Sequence, residues 1–388
     1  MKFMGISDRT SWICVATAVI LVAAGLIFTT GRGIQDMDII IGTYGEQLYI
    51  CSYNHRSMEF SVRDSVKAKN PSYVLGEGDM IYAVSECGPL SGAYSFMEKS
   101  DGTYEKTAGL QQTGADPCFV MIHEQNGGRF MLTADYSGGS ISVFPVKDGK
   151  IEDRCHQLVF SGNGPVKARQ EASHIHQLKV LPKTGVTHGS HILASDLGAD
   201  VIRLLHAEIP TDGPGTPQLR LTHIKDISCP AGSGPRHMEF SHDGRILYCI
   251  AELSGEVLVY DIAEDEDGSP AFNLKQRIQA DEVNAGGSAD IHIHPSGKWL
   301  YTSHRLDNDG IAIFSIQKDG TLEKTGYQRT ARHPRNFMIT PDGDFLLAAC
   351  RDDRLVQVFR TNEDGSLTLT PKVLRLEGDM PSSITLLK

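Results

Sequence analysis

The sequence has no surplus of basic residues. Lys and Arg number 37 against 48 Asp and Glu in 388 residues, a net charge of −11, with no Lys/Arg run anywhere. That balance excludes nucleic acid as a partner, because a basic footprint is what a phosphate backbone requires. Cysteine patterning is equally sparse: the eight cysteines at 14, 51, 87, 118, 155, 229, 249 and 350 form no C-x-x-C pair, so cluster-type metal spacing is absent. Cys249 and Cys350 sit inside apolar runs and read as small buried hydrophobes. The chain also lacks a G-x-S-x-G elbow, a G-x-x-x-x-G-K-[ST] phosphate loop, an H-E-x-x-H pair and a dinucleotide fingerprint, which removes support for serine-esterase and nucleotide chemistry. No long amphipathic helical period appears after the first 35 residues.

One uncharged stretch is present, from Thr10 to Gly31, flanked by Lys2 and Arg9 before and Arg32 after. At roughly 1.5 Å per helical residue it spans a bilayer core. The Phe28-Thr29-Thr30-Gly31 exit is a poor cleavage site, so an uncleaved transmembrane anchor is expected over 1–35, with a signal helix as the alternative. Lys2 and Arg9 would hold the N-terminus inside and leave the 36–388 body extracytoplasmic. Cleavage would make the body secreted or periplasmic.

The body repeats. Seven runs start at a turn and continue as apolar strand: Asp36 (DMDIIIGTY), Gly78 (GDMIYAVSE), Gly128 (GRFMLTADY), Gly189 (GSHILASDL), Gly244 (GRILYCIAE), Gly297 (GKWLYTSHR) and Gly343 (GDFLLAACR). Their successive offsets of 42, 50, 61, 55, 53 and 46 residues fit one four-stranded propeller blade each. Every run but the first follows a second kind of run, often led by proline, such as Pro117-Cys-Phe-Val, Pro235-Arg-His-Met and Pro334-Arg-Asn-Phe. The copy missing at the start stands at the end, as Pro381-Ser-Ser-Ile-Thr-Leu-Leu. The expected fold is therefore an all-β, seven-bladed propeller in which N- and C-terminal strands close one blade and remove exposed edges.

With the repeats in register, two columns break the apolar pattern. At the start of the innermost strand, Arg236 and Arg335 follow prolines and His176 takes the same place. Eight residues after each marker stand Tyr44, Glu86, Tyr136, Leu197, Glu252, Arg305 and Arg351. Consecutive strands run antiparallel, so both columns meet at one face of the ring. A titratable base, cationic clamps and a channel suit acid/base work on an anionic substrate. His174-x-His176 and His292-x-His294 could each put two imidazoles on one strand face, but no third clustered ligand accompanies them, and no metal is expected.

The runs IIIGTY near Ile39, PSYV…IYAVSE from Pro71, ADYSGGSISVF from Ala134, HIHQ from His174, GPRHMEFSHDGRILYCIAEL from Gly234, HPSGKWLYTSHR from His294 and HPRNFMITPDGDFLL from His333 resemble the seven-bladed lactonase propellers. That family includes bacterial 6-phosphogluconolactonase and the fungal 3-carboxy-cis,cis-muconate lactonising enzyme. The resemblance covers the body from Asp36 to Lys388. It implies a catalytic set at His176, Glu252, Arg236 and Arg305, with His174, His237, Arg335 and Glu86 as substrate contacts, and a cytoplasmic setting at odds with an anchor. The implied reaction is hydrolysis of a sugar lactone, without cofactor, on an anionic lactone or sugar acid. Carboxymuconate cyclisation and a non-enzymatic extracytoplasmic binding propeller are the alternatives. Asp135 and Cys350-Arg351 depart from the family pattern and bear on substrate identity.

Overall fold

Short runs of β-branched and aromatic residues, separated by Gly, Asp and Pro turns, cannot bury both faces alone, so they stack as sheets around an axis. The computed structural model describes residues 36–183, 190–210, 217–266 and 268–387. The expected 1–35 anchor lies outside them. Among the described residues no helix is long and apolar enough to cross a membrane.

Seven sheets form the ring. Blade 1 holds Met37–Tyr44, Gln47–Asn54 and Glu59–Lys67, and its innermost strand is Met380–Leu386 from the other end of the chain. The innermost strands of blades 2 to 7 are Val74–Glu77, Pro117–Gln125, Ile175–Val180, Pro235–Phe240, Ser288–Ile293 and Pro334–Ile339. The expected closure is therefore present: Met37–Tyr44 pairs antiparallel with Met380–Leu386, aligning Ile41 with Ile384.

The seven marker runs become the second strands of the blades. Three of them, Met80–Ser85, Ile246–Ala251 and Phe345–Cys350, are buried along their whole length. Outermost strands such as Arg220–Ser228 are largely exposed. The core sits between blades, as in the cluster joining Ile39, Ile41, Cys51 and Ile384 of blade 1 to Leu347, Val356 and Val358 of blade 7. Cys249 and Cys350 are fully buried, as expected, and all seven described cysteines are free.

One irregularity recurs and positions the chemistry. Near the start of the innermost strand the register slips by one residue, leaving Cys118, His176, Arg236, Arg335 and Ser382 as the extra residue opposite the second strand. An extra residue bends the strand and re-aims its side chain. Proline fits just before four of these bulges, where the strand begins. In three blades the residue ahead of that proline is left-handed, Asp116 at φ 50°, Gly234 at φ 62° and His333 at φ 61°. At Gly234 a Cβ would also meet Leu253 Cγ at 2.6 Å, so glycine is required there.

Candidate active site

The first sequence column, His176, Arg236 and Arg335, falls on three of these bulged residues, and the second column follows the end of each second strand. Members of both open into one pocket of about 340 Å³ at the channel mouth. Its walls come from all seven blades: Tyr44, Glu86, Cys118 with Tyr136, His176, Glu252, Arg305 and Arg335, in blade order. Clefts of about 490 Å³ beside Ser241–Ile246 and about 370 Å³ around Tyr73 and His292 are comparable in size but gather no such set of facing Arg, Glu and His.

Glu252 is the electrostatic centre. Its Oε2 lies 2.7 Å from Arg236 Nε and 3.1 Å from an Arg305 Nη, and its Oε1 lies 2.6 Å from an Arg169 Nη. Burial by itself would raise its pKa, but Arg305, Arg236 and Arg169 outweigh that and hold the carboxyl at about 2. Arg236 is buried behind Glu252, and its Nη1 donates to Ala289 O at 2.5 Å. Arg305 donates from Nε to Gly287 O at 2.8 Å. Arg335 stacks over the Tyr44 ring at 5.3 Å, and Tyr44 donates its hydroxyl to Glu86 at 2.9 Å. Among the described residues the Arg335 guanidinium forms no ion pair or hydrogen bond, so it is available to a ligand.

His176 is 4% exposed, and its Nδ1 has no hydrogen-bond partner among the described residues. Burial, then the positive charge of Arg236, drives its pKa well below 6.5. The imidazole is therefore neutral and keeps a lone pair at neutral pH.

Two expected substrate contacts lie elsewhere. His174 precedes the bulge and stacks on the Tyr136 ring at 4.3 Å, with Nδ1 3.0 Å from Tyr136 O, so it props a wall residue from behind. His237 follows its bulge and turns down the channel, where Nδ1 lies 2.7 Å from Asp290. His292 lies beside Asp290, whereas His294, just past the end of the strand at Ile293, reaches Gly343 O at 2.9 Å. Neither His-x-His pair converges on one point. Among the described residues one cluster has ligand-like spacing, His55 with Asp342 and Asp344, and none of the three lines the pocket. Leu197 is fully buried, and Arg351 pairs with Asp352 at 2.7 Å; neither lines the pocket.

Sequence reasoning missed Arg169 and Cys118. Cys118 occupies the bulge column of blade 3 and was masked by its apolar neighbours. Arg169 lies in the blade 3 to blade 4 connection, whose only sequence signal is the longest marker spacing, 61 residues.

The profile described as "Lactonase, 7-bladed beta-propeller" matches residues 38–385. The chain belongs to this family. A 6-phosphogluconolactonase of Formosa agariphila is 31% identical to this lactonase-family chain over 348 residues, covering 86% of it and 94% of the relative. A 6-phosphogluconolactonase of Yersinia pseudotuberculosis is 29% identical over 298 residues, covering 76% and 82%. A Bacteroides fragilis structure, provisionally described as a 6-phosphogluconolactonase, superposes with TM-score 0.82 at 34% identity, covering 92% of this chain and 99% of its own. The periplasmic gluconolactonase of Pseudomonas aeruginosa shares the fold, with TM-score 0.77 at 24% identity over 91% and 99% of the two chains.

Proposed function

We propose that this lactonase-family protein hydrolyses the ring ester of an anionic sugar lactone of the 6-phosphogluconolactone type. The observation that carries the reading is a neutral, buried imidazole beside a pocket of surplus positive charge. Arg169, Arg236, Arg305 and Arg335 contribute four formal charges and Glu86 and Glu252 remove two, a net of +2. Such a site attracts an anion and stabilises negative charge as it develops on the carbonyl oxygen.

In this scheme His176 takes a proton from water as the oxygen attacks the lactone carbonyl. Arg305 stabilises the resulting oxyanion. Collapse breaks the ring C–O bond, and the proton on His176 passes to the departing ring oxygen, giving a hydroxy acid that ionises to a carboxylate. Glu252, held at about 2 by its guanidiniums, is too weak a base for the proton transfer. Its role is to position Arg236 and Arg305. An anion in the pocket offsets the cations that depress His176, so substrate itself raises the basicity of the imidazole.

The test is lactone turnover by the purified protein on 6-phosphogluconolactone, glucono-δ-lactone and carboxymuconate. Rates unchanged by His176→Asn and Arg305→Met would overturn the reading. Turnover of carboxymuconate alone would instead favour cyclisation, which needs proton delivery to carbon.

A further inference from the structure

Arg169 belongs to neither repeat column, yet it is held at the pocket by a built connection. The neighbouring Gln170 is fully buried, and its amide donates to Leu197 O at 2.9 Å and Asp200 Oδ1 at 2.7 Å. Its Oε1 accepts from Val166 N at 3.0 Å, and the backbone N–H groups of Arg169 and Gln170 both return to Val166 O at 2.8 Å. These bonds fix where the Arg169 side chain starts. The guanidinium uses a single nitrogen, Nη2, which reaches Glu252 Oε1 at 2.6 Å and the Tyr136 hydroxyl at 3.4 Å. Nη1 and Nε have no partner among the described residues.

Exposure rises through the three guanidiniums that meet Glu252, and that gradient separates their tasks. The side chains of Arg236 and Arg305 are 2% and 7% exposed, whereas that of Arg169 is 40% exposed. Glu252 is already paired with the two buried arginines, so Arg169 is not needed to neutralise it. Arg335 comes from blade 7, across the ring from the blade 3 to blade 4 connection, and its guanidinium has no ion pair among the described residues. The pocket thus ends in two guanidiniums with unused donors on opposite walls, above a buried reacting end.

We propose that Arg169 selects for phosphorylated lactones, its free Nη1 and Nε gripping a phosphate dianion at the pocket mouth together with Arg335. This rests on the lactone-hydrolysis reading and narrows it to sugar phosphates. Planar guanidiniums suit such an anion because they offer paired donors to its oxygens.

The experiment compares 6-phosphogluconolactone with glucono-δ-lactone in the wild-type chain, Arg169→Gln and Arg169→Lys. The ratio of kcat/KM for the phosphorylated over the plain lactone should fall about 30-fold in Arg169→Gln, the scale of one lost charge-assisted bond. Most of that fall should appear in KM, and Arg169→Lys should recover part of it. A ratio unchanged while both substrates decline together would overturn the proposal and reduce Arg169 to a brace for Glu252. Calorimetric titration with inorganic phosphate tests the same residue without turnover. Arg169→Gln should weaken phosphate binding about tenfold, more at pH 8 than at pH 6 because the dianion is the matched form. Equal phosphate affinity in wild type and variant overturns the proposal even if neither lactone is hydrolysed, the outcome that defeats the parent reading separately.

Discussion

Arg236 Nε lies 2.7 Å from Glu252 Oε2, and both side chains are at least 95% buried. The two residues come from neighbouring strands of blade 5, one lifted by a bulge and the other just past a strand end. Their pairing is what lets a carboxylate persist inside the channel, since an unpaired buried charge costs far more than the pair.

Glu252→Gln should therefore alter acid stability as well as rate. The folded pKa of Glu252, about 2, lies below its ordinary 4.5. A depressed carboxyl stabilises the fold above pH 4.5 and loses that contribution as pH falls towards 2. Melting curves should show the wild type losing stability more steeply than Glu252→Gln between pH 5 and 2.5. At pH 7 the variant should melt lower, and its turnover should fall about 100-fold as the arginines lose their anchor. Parallel melting curves across that acid range would contradict the ion-pair account.

The pH profile of turnover should report the neutral imidazole. With His176 well below 6.5, kcat/KM should be flat from pH 6 to 8, without the usual histidine break. His176→Asn should lower kcat by about 100-fold or more, the usual scale of general-base catalysis. An ascending limb centred near 6.5 in the wild type, lost in His176→Asn, would show that the site does not suppress protonation.

Deeper in the channel Asp290 accepts from His237 at 2.7 Å, lies 3.1 Å from His292 and is also bonded by Asn336 and Phe337 N. Burial lowers His292, but Asp290 and then Glu239 outweigh it and raise the imidazole to about 10. A raised histidine stabilises the fold fully below pH 6.5 and progressively less as pH climbs to 10. Asp290→Asn should flatten the alkaline decline of melting temperature seen in the wild type. It should also destabilise the chain at pH 7 by about 1–3 kcal/mol, since His237, Asn336 and His292 lose the buried carboxylate they share. Chemical denaturation at pH 7 and pH 9.5 measures both.

Ring closure offers a fourth test. Ile384 is 4% exposed in the cluster joining blades 7 and 1, and its N–H donates to Asn336 Oδ1 at 2.7 Å. Ile384→Ala should cost about 2–5 kcal/mol by leaving a cavity at that seam. Deleting 379–388 removes the strand that covers Met37–Tyr44, and the bared edge should drive self-association, read by light scattering. A monomeric truncation with an unchanged denaturation midpoint would contradict closure.

The blade count, the marker strands and the detached closing strand were legible in the sequence because each depends on local turn chemistry and a repeated apolar pattern. His176, Arg236 and Arg335 were legible as a column for the same reason. The assignments of His174 and His237 as substrate contacts could not be settled there. Strand alternation combined with a one-residue bulge decides which of two neighbouring side chains enters the pocket, and a bulge has no fixed sequence mark. Arg169 was invisible because its connection has no counterpart in the other repeats.

By itself, then, the sequence determined that seven similar units bury their faces against one another and carry Arg, Glu and His at equivalent ends. Tertiary structure decided which of those side chains meet. Glu252 gathers arginines from blade 5, blade 6 and the connection between blades 3 and 4, and such long-range charge pairing, not local propensity, sets the protonation of the site.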